Sequence, residues 1–97
     1  MARLQADIAT DKGSRYLQQL CKHWSHRFQV EFDPNHGVVH MTGADCAFQA
    51  TPERLVLTLA GDDAATLARL SGVVTEHLQR FSFREALEVR WVDDAAV

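Results

Sequence analysis

The spacing of apolar residues changes its period along this chain, and that change constrains the fold more than any other feature. A period of two is typical of a strand with one buried face, and a period near 3.6 is typical of an amphipathic helix. Leu4, Ala6 and Ile8 show the first period, and the residues after Asp11 show the second. The chain later returns to a period of two, so we expect a domain that mixes strands and helices.

The first helix is predicted over residues 14–27, with Thr10 or Asp11 as its N-terminal cap. Its apolar side chains fall within one arc of about 140°, at ~100° per residue. They are Tyr16, Leu17, Leu20, Cys21 and Trp24. One side of this helix should therefore pack against a core.

Four short alternating runs follow this helix, in residues 28–32, 38–42, 46–50 and 55–60. Turn-forming residues separate the runs, among them Pro34, Gly37, Gly43 and Pro52. Strands joined by such short loops pair antiparallel. The sequence thus predicts a four-stranded antiparallel meander.

A second helix is predicted after Asp62 and Asp63, because carboxylates stabilise the free N–H groups at a helix N-terminus. Its apolar stripe is Leu67, Leu70, Val74, Leu78 and Phe81. Leu87, Val89 and Trp91 then alternate with polar residues, which predicts a last strand. We interpret residues 93–97 as a frayed tail.

The predicted order is therefore β-α-β-β-β-β-α-β, within a single α+β domain that spans residues 1–97. The 97 residues suit one domain and leave no room for a second. We expect two layers, with both helices on one face of a curved antiparallel sheet. This order resembles the saddle of the TATA-binding-protein fold, an analogy that carries no function.

Charge and composition exclude several classes of partner. Ten basic and thirteen acidic residues give a net charge of −3, whereas nucleic-acid binders usually carry a basic surplus. No apolar run is long enough for a signal peptide or a membrane span, so we expect a cytoplasmic protein whose Cys21 and Cys46 are free thiols. A sheet edge that pairs with a second copy would give a homodimer.

Histidines and cysteines form the first set of candidate site residues: His23, His26, Cys46 and His77. His77 could meet His23 if the two helices lie side by side. No Asp or Glu is placed to complete a metal site, and His26 should face water. These residues are therefore either ligands of a metal- or thiol-dependent enzyme or ordinary surface and core residues.

Cations near the helix ends form the second set. Arg80, Arg84 and Lys22 could converge on a carboxylate or phosphate. Alternatively, Arg80 stabilises the free carbonyls of its own helix end, and Glu85 neutralises Arg84. No nucleotide-binding or hydrolase motif is present, which favours a binding protein over an enzyme.

Two segments resemble the signatures of a small uncharacterised bacterial family, domain of unknown function 2218. They are residues 16–27 (YLQQLCKHWSHR) and residues 77–85 (HLQRFSFRE), followed by Trp91, with Gly43 and Cys46 between them. The positions that match the polar part of the signature are Cys21, Lys22, His23, His26, Cys46, His77, Arg80 and Arg84. The resemblance implies an association with bacterial iron or siderophore metabolism, and it specifies no cofactor.

Three hypotheses follow. The first is a non-catalytic binding or accessory domain whose cleft is lined by Lys22, His23, His77, Arg80 and Arg84. The second is a metal- or thiol-dependent enzyme that uses His23, His26, Cys46 and His77. The third is a purely structural module that acts by binding another protein.

Overall fold

Six antiparallel strands form one sheet in the computed structural model, which describes residues 2–93. The elements are β1 (Ala2–Ala9), α1 (Gly13–Trp24), β2 (Gln29–Phe32), β3 (His36–Met41), β4 (Ala44–Ala50), β5 (Arg54–Gly61), α2 (Ala64–Phe81) and β6 (Trp91–Asp93). This order confirms the predicted fold class. Of the predicted tail, Asp93 ends β6, and residues 94–97 lie outside the described part of the chain.

The strands lie in the spatial order β2-β3-β4-β5-β1-β6. The meander from β2 to β5 is formed by hairpins, as predicted, and β1 lies between β5 and β6. In β1, Ala6 is opposite Leu57 on one side and opposite Trp91 on the other. α1 connects β1 to β2, and α2 connects β5 to β6. Both helices therefore pack against the same sheet.

The core lies between the helices and one face of the sheet. Leu55, Leu57 and Leu59 of β5 have no exposed surface, and they alternate with more exposed residues on the other face. Every member of the predicted α1 stripe is buried, as are four of the five in the α2 stripe; the exception is the half-buried Phe81. These matches confirm the two-layer arrangement.

A glycine lets α1 lie close to the sheet. A Cβ atom at Gly37 would lie 2.9 Å from the Cys21 sulfur and 3.4 Å from Cδ2 of Leu17. Contacts this short leave no room for a larger side chain unless its neighbours move. Gly37 therefore sets how closely the first helix approaches β3.

The predicted cap of α1 is wrong, whereas that of α2 is confirmed. Lys12 precedes α1 and provides no side-chain cap, and the Thr10 hydroxyl instead accepts a bond from the Lys12 N–H at 3.1 Å. In α2, the Asp63 carboxylate accepts from the Ala65 N–H at 3.3 Å. At its other end α1 ends at Trp24, three residues before the predicted end, and the chain turns there, with the Trp24 carbonyl accepting from the N–H of Arg27 at 3.0 Å as well as from that of Phe28.

The last strand is shorter than predicted. Leu87 and Val89 pack against the core, but only Trp91–Asp93 pairs with β1. The chain after α2 turns instead, because Glu85 donates its N–H to the Ser82 carbonyl and its carboxylate is held by α1 and the loop before it. Between residues 2 and 93 there is no helix with the length and apolar character needed to cross a membrane.

Candidate functional site

The two polar segments singled out in the sequence lie side by side. His23, in the last turn of α1, and His77 of α2 have ring centroids 5.3 Å apart. Trp24 lies 5.2 Å from the His77 ring, and Phe81 lies 6.0 Å from the His23 ring. We call His23, Trp24, His77 and Phe81 the histidine cluster.

A cavity of about 230 Å³ lies nearer the start of α1, and we call it the basic pocket. It is lined by Lys12, Arg15, Tyr16, Gln19, Phe81, Phe83 and Arg84. The first four follow one another at helical spacing along α1, and the last three belong to the end of α2 and the segment after it. Phe81 belongs to both the pocket and the histidine cluster, so the two adjoin, and we call the surface that they make together the groove.

The three cations of the basic pocket differ from several other arginines of the described chain in how their charge is paired. Other arginines in the described part of the chain do form ion pairs, such as Arg54 with Asp7 at 2.6 Å. Within residues 2–93, by contrast, no carboxylate lies within 4.0 Å of the charged nitrogens of Lys12, Arg15 or Arg84. The pocket is therefore lined by three cations that form no ion pair within the described residues, although the chain as a whole is acidic. The Glu85 carboxylate, which is bonded to Tyr16, offsets part of the Lys12 charge at longer range.

The carboxylate of Glu85 is engaged elsewhere. It accepts from the Tyr16 hydroxyl at 2.5 Å and from the Thr10 hydroxyl at 2.9 Å. The bond from Tyr16 is the main cause that lowers the pKa of Glu85, whereas burial, followed by the bond to Glu85, raises the pKa of Tyr16 to about 12. Tyr16 thus stays a donor and Glu85 stays charged at neutral pH. This contact fixes the chain after α2 against α1.

Gln19 supplies an acceptor without a donor. Its side-chain oxygen Oε1 is buried and has no hydrogen-bond partner among the residues that the structure describes, and its side chain lines the basic pocket. Buried polar atoms in folded proteins are rarely left unpaired, because losing water without gaining a partner is unfavourable. A ligand or water that donates a hydrogen bond here would satisfy this oxygen.

Two phenyl rings provide the apolar part of the pocket. Phe81 is half-buried, whereas Phe83 is 76% exposed. The Arg84 guanidinium lies 5.4 Å from the centre of the Phe83 ring, close enough for a cation–π contact. The exposed ring and the neighbouring cation can therefore offer an apolar and a cationic contact to the same ligand.

Only some of the predicted ligand-binding residues line the groove. His23 and His77 meet, and Arg84 lines the basic pocket. Arg80 is exposed and donates to Glu76 at 2.8 Å, so its predicted contact with helix-end carbonyls is wrong. Lys22 is exposed and does not line the pocket. The predicted pairing of Glu85 with Arg84 is also wrong, because Tyr16 and Thr10 occupy that carboxylate.

The proposed metal or thiol site is not assembled. Cys46 is fully buried beneath the helices, and His26 is exposed beyond the end of α1. Burial raises the pKa of the Cys21 thiol to about 11 and also raises the pKa of Cys46, so neither is a thiolate at neutral pH. Among the residues that the structure describes, no three His, Cys, Asp or Glu side chains are arranged to hold a metal ion.

Sequence reasoning missed Lys12, Arg15 and Gln19 as site residues, because Lys12 precedes the predicted helix and the other two fall outside its apolar arc. A signal for them is nevertheless present. Lys12, Arg15, Gln19 and His23 follow one another at intervals of three or four residues, so they share one side of α1. Tyr16 of the buried stripe lies next to this side of the helix and lines the basic pocket together with Phe81 of α2.

Comparisons with known proteins fit this architecture. Residues 5–92 match the model of a family described as an uncharacterized protein conserved in bacteria, DUF2218. The NMR structure of PA4090 from Pseudomonas aeruginosa is 36% identical in sequence and has a TM-score of 0.80. The match covers 95% of this chain and 96% of that chain. No protein with a curated description matches significantly.

Proposed function

Because the chain belongs to the DUF2218 family of uncharacterized proteins conserved in bacteria, we propose a function from its basic pocket. The domain binds a small ligand that carries a carboxylate or phosphate beside an aromatic or apolar group, and it does so without catalysis. The observation that carries this proposal is the convergence of Lys12, Arg15 and Arg84 on one cavity with two phenyl rings.

Charge favours an anionic ligand. Three cations held close together repel one another, and the described structure gives them no carboxylate partner. A bound anion removes this repulsion. The guanidinium groups of Arg15 and Arg84 have the planar arrangement of donors that matches two oxygens of a carboxylate or phosphate.

The size of the pocket limits the part of the ligand that it encloses. A cavity of about 230 Å³ exceeds the ~150 Å³ that accommodates a benzene ring. It therefore has room for one ring with one anionic group. A larger ligand would extend along the groove towards His23.

Within this class of ligand, a ferric siderophore with carboxylate groups is the specific candidate that we propose. This choice follows from the link to iron or siderophore metabolism that the sequence resemblance implies. The descriptions of the family and of the Pseudomonas aeruginosa protein name no ligand. The experiment therefore first tests small aromatic and phosphate ligands of the wider class.

The test is a titration with inorganic phosphate, benzoate, phenyl phosphate and a ferric siderophore, followed by thermal shift and by NMR. Binding should raise the melting temperature, since a ligand at ~100 times its Kd adds about 2.7 kcal/mol to stability. We expect phenyl phosphate to bind more tightly than inorganic phosphate, because only the former also contacts Phe81 and Phe83. Amide signals of Gln19 and Arg84 should shift.

A matched pair of variants localises the site. Arg84→Gln should weaken binding about tenfold, the equivalent of ~1.4 kcal/mol. Arg80→Gln removes a charge of the same kind that is paired with Glu76 outside the pocket, and it should leave binding unchanged. A flat response to all four ligands, or equal losses in the two variants, would contradict the proposal.

The exposure of Phe83 favours a second candidate, a module that binds another protein through this surface. In that case Arg84 has a structural role. Arg84→Gln would then lower the melting temperature while leaving the response to small ligands unaltered. Pairing of β2 or β6, the two sheet edges, with a second copy stays a prediction.

A further inference from the structure

We propose that His23 and His77 form a two-histidine site for a divalent transition-metal ion such as Cu²⁺, Ni²⁺ or Zn²⁺. The site lies at the other end of the groove from the basic pocket. It depends on different residues from those that hold the anion, so it does not rest on the proposed function.

The separation of the two rings fits shared ligation. Their centroids are 5.3 Å apart, with planes inclined at 46°. Two imidazoles that bind one metal through nitrogens at ~2.0 Å, in tetrahedral directions, have ring centres roughly 5 Å apart. The observed spacing therefore needs little movement of either helix.

The hydrogen bond of His77 prepares its other nitrogen for a metal. Nδ1 lies 2.8 Å from the Val73 carbonyl oxygen. A carbonyl oxygen only accepts, so Nδ1 carries the hydrogen and Nε2 of the neutral ring keeps its lone pair. Histidines that bind metals usually have such a partner on the nitrogen that is not coordinated, because it fixes the tautomer and the ring orientation.

His23 is free to turn towards that lone pair. Its ring is exposed, and neither of its nitrogens has a hydrogen-bond partner in the part of the chain that the structure describes. The rings of Trp24 and Phe81 flank it without competing for a metal. A ring in this position keeps both nitrogens available for binding.

The ligand set determines the kind of metal and the kind of site. Glu76, the neighbour of His77 in sequence, pairs with Arg80, so two imidazoles act without a carboxylate. Imidazole ligands suit Cu²⁺, Ni²⁺ and Zn²⁺, whereas Mg²⁺ and Ca²⁺ prefer oxygen. Two protein ligands leave coordination positions open to water or to an oxygen of a ligand in the groove. Binding should therefore be reversible rather than structural.

The experiment is a titration of the full chain with Ni²⁺ by calorimetry, with Cu²⁺ added to a second sample for NMR. We expect one saturable site with a Kd in the micromolar range, and loss of the amide signals nearest His23 and His77 through paramagnetic broadening. His23→Ala and His77→Ala should each raise the Kd at least tenfold. His77→Gln serves as a second variant if His77→Ala does not fold.

His26→Ala and His40→Ala are the matched controls, because these histidines lie outside the site and should leave the Kd unchanged. The proposal would be overturned if the wild type showed no saturable binding. It would also be overturned if both control variants weakened Ni²⁺ binding as much as His23→Ala does. Arg84→Gln should leave Ni²⁺ binding intact, and His77→Ala should leave phenyl phosphate binding intact. Failure of one proposal is thereby distinguishable from failure of the other.

Discussion

The two sides of α1 differ in how completely their side chains are satisfied. On the side that faces the sheet, Leu17, Leu20 and Cys21 have no exposed surface. On the side that faces the end of α2, Arg15 has no carboxylate partner among residues 2–93, and Gln19 has a buried oxygen without a donor. One side of α1 therefore stabilises the fold, and the other side offers a binding surface. Substitutions on the first side should change stability, and substitutions on the second side should change binding.

The largest effect is expected on the sheet-facing side. Leu20→Ala should lower the free energy of unfolding by about 2–5 kcal/mol, because it removes apolar contacts and leaves a cavity in a tightly packed region. Urea denaturation followed by circular dichroism measures this loss. Lys22→Ala, an exposed change in the same helix, should stay within ~0.5 kcal/mol. A loss below ~1 kcal/mol for Leu20→Ala would remove the distinction between the two sides.

An intermediate effect is expected at the Glu85 carboxylate, whose two hydrogen bonds hold the chain after α2 against α1 and the loop before it. Glu85→Gln should lower the free energy of unfolding by about 1–2 kcal/mol, because a neutral amide accepts more weakly from Tyr16 and Thr10. Urea denaturation at neutral pH measures this change. Glu88→Gln is the control, since Glu88 is exposed and lies 3.6 Å from Arg90. Equal effects would show that Glu85 is an ordinary surface acid.

The same contact should make stability depend on pH. The pKa of Glu85 is lowered, first by the bond from Tyr16, from an ordinary value of 4.5. Its contribution is therefore present above that ordinary value and is lost as the pH falls through the lower value of the folded state. The difference in stability between wild type and Glu85→Gln should shrink from pH 7 to about pH 3. A difference that stays constant over this range would contradict the assignment.

The smallest effect on stability is expected from the cations. Lys12→Gln and Arg15→Gln should change the free energy of unfolding by no more than ~0.5 kcal/mol, because neither side chain forms an ion pair within residues 2–93. Each should nevertheless weaken binding of phenyl phosphate, as measured by calorimetry. A large loss of stability with unchanged binding of phenyl phosphate would show that these residues stabilise the fold and do not bind the ligand.

Local periodicity accounts for the part of the fold that could be predicted from sequence. The alternation in β4 and β5 and the stripes of α1 and α2 were strong enough to identify which residues are buried. The same reasoning predicted too long a strand near the end of the chain. Leu87 and Val89 alternate as a strand does, yet the chain turns at Glu85 and pairs with the sheet only from Trp91.

The candidate site was harder to predict, because its key contacts join distant parts of the chain. The bond from Tyr16 to Glu85 spans 69 residues and that from Thr10 spans 75, and no local pattern encodes either. His77 and His23 were expected to meet only because both flank apolar stripes. The basic pocket was missed because polar residues on a helix usually face water.

The position of β1 between β5 and β6 has a consequence for how the chain assembles. β1 precedes the other five strands in the chain, yet its two neighbours in the sheet are the fifth and sixth strands. Ala9 must wait for Arg54, its partner in β5, to be synthesised. Closing such long loops slows folding, since entropy is lost before the pairing is gained. The hairpins from β2 to β5 can form first and then serve as the template on which the opening strand docks.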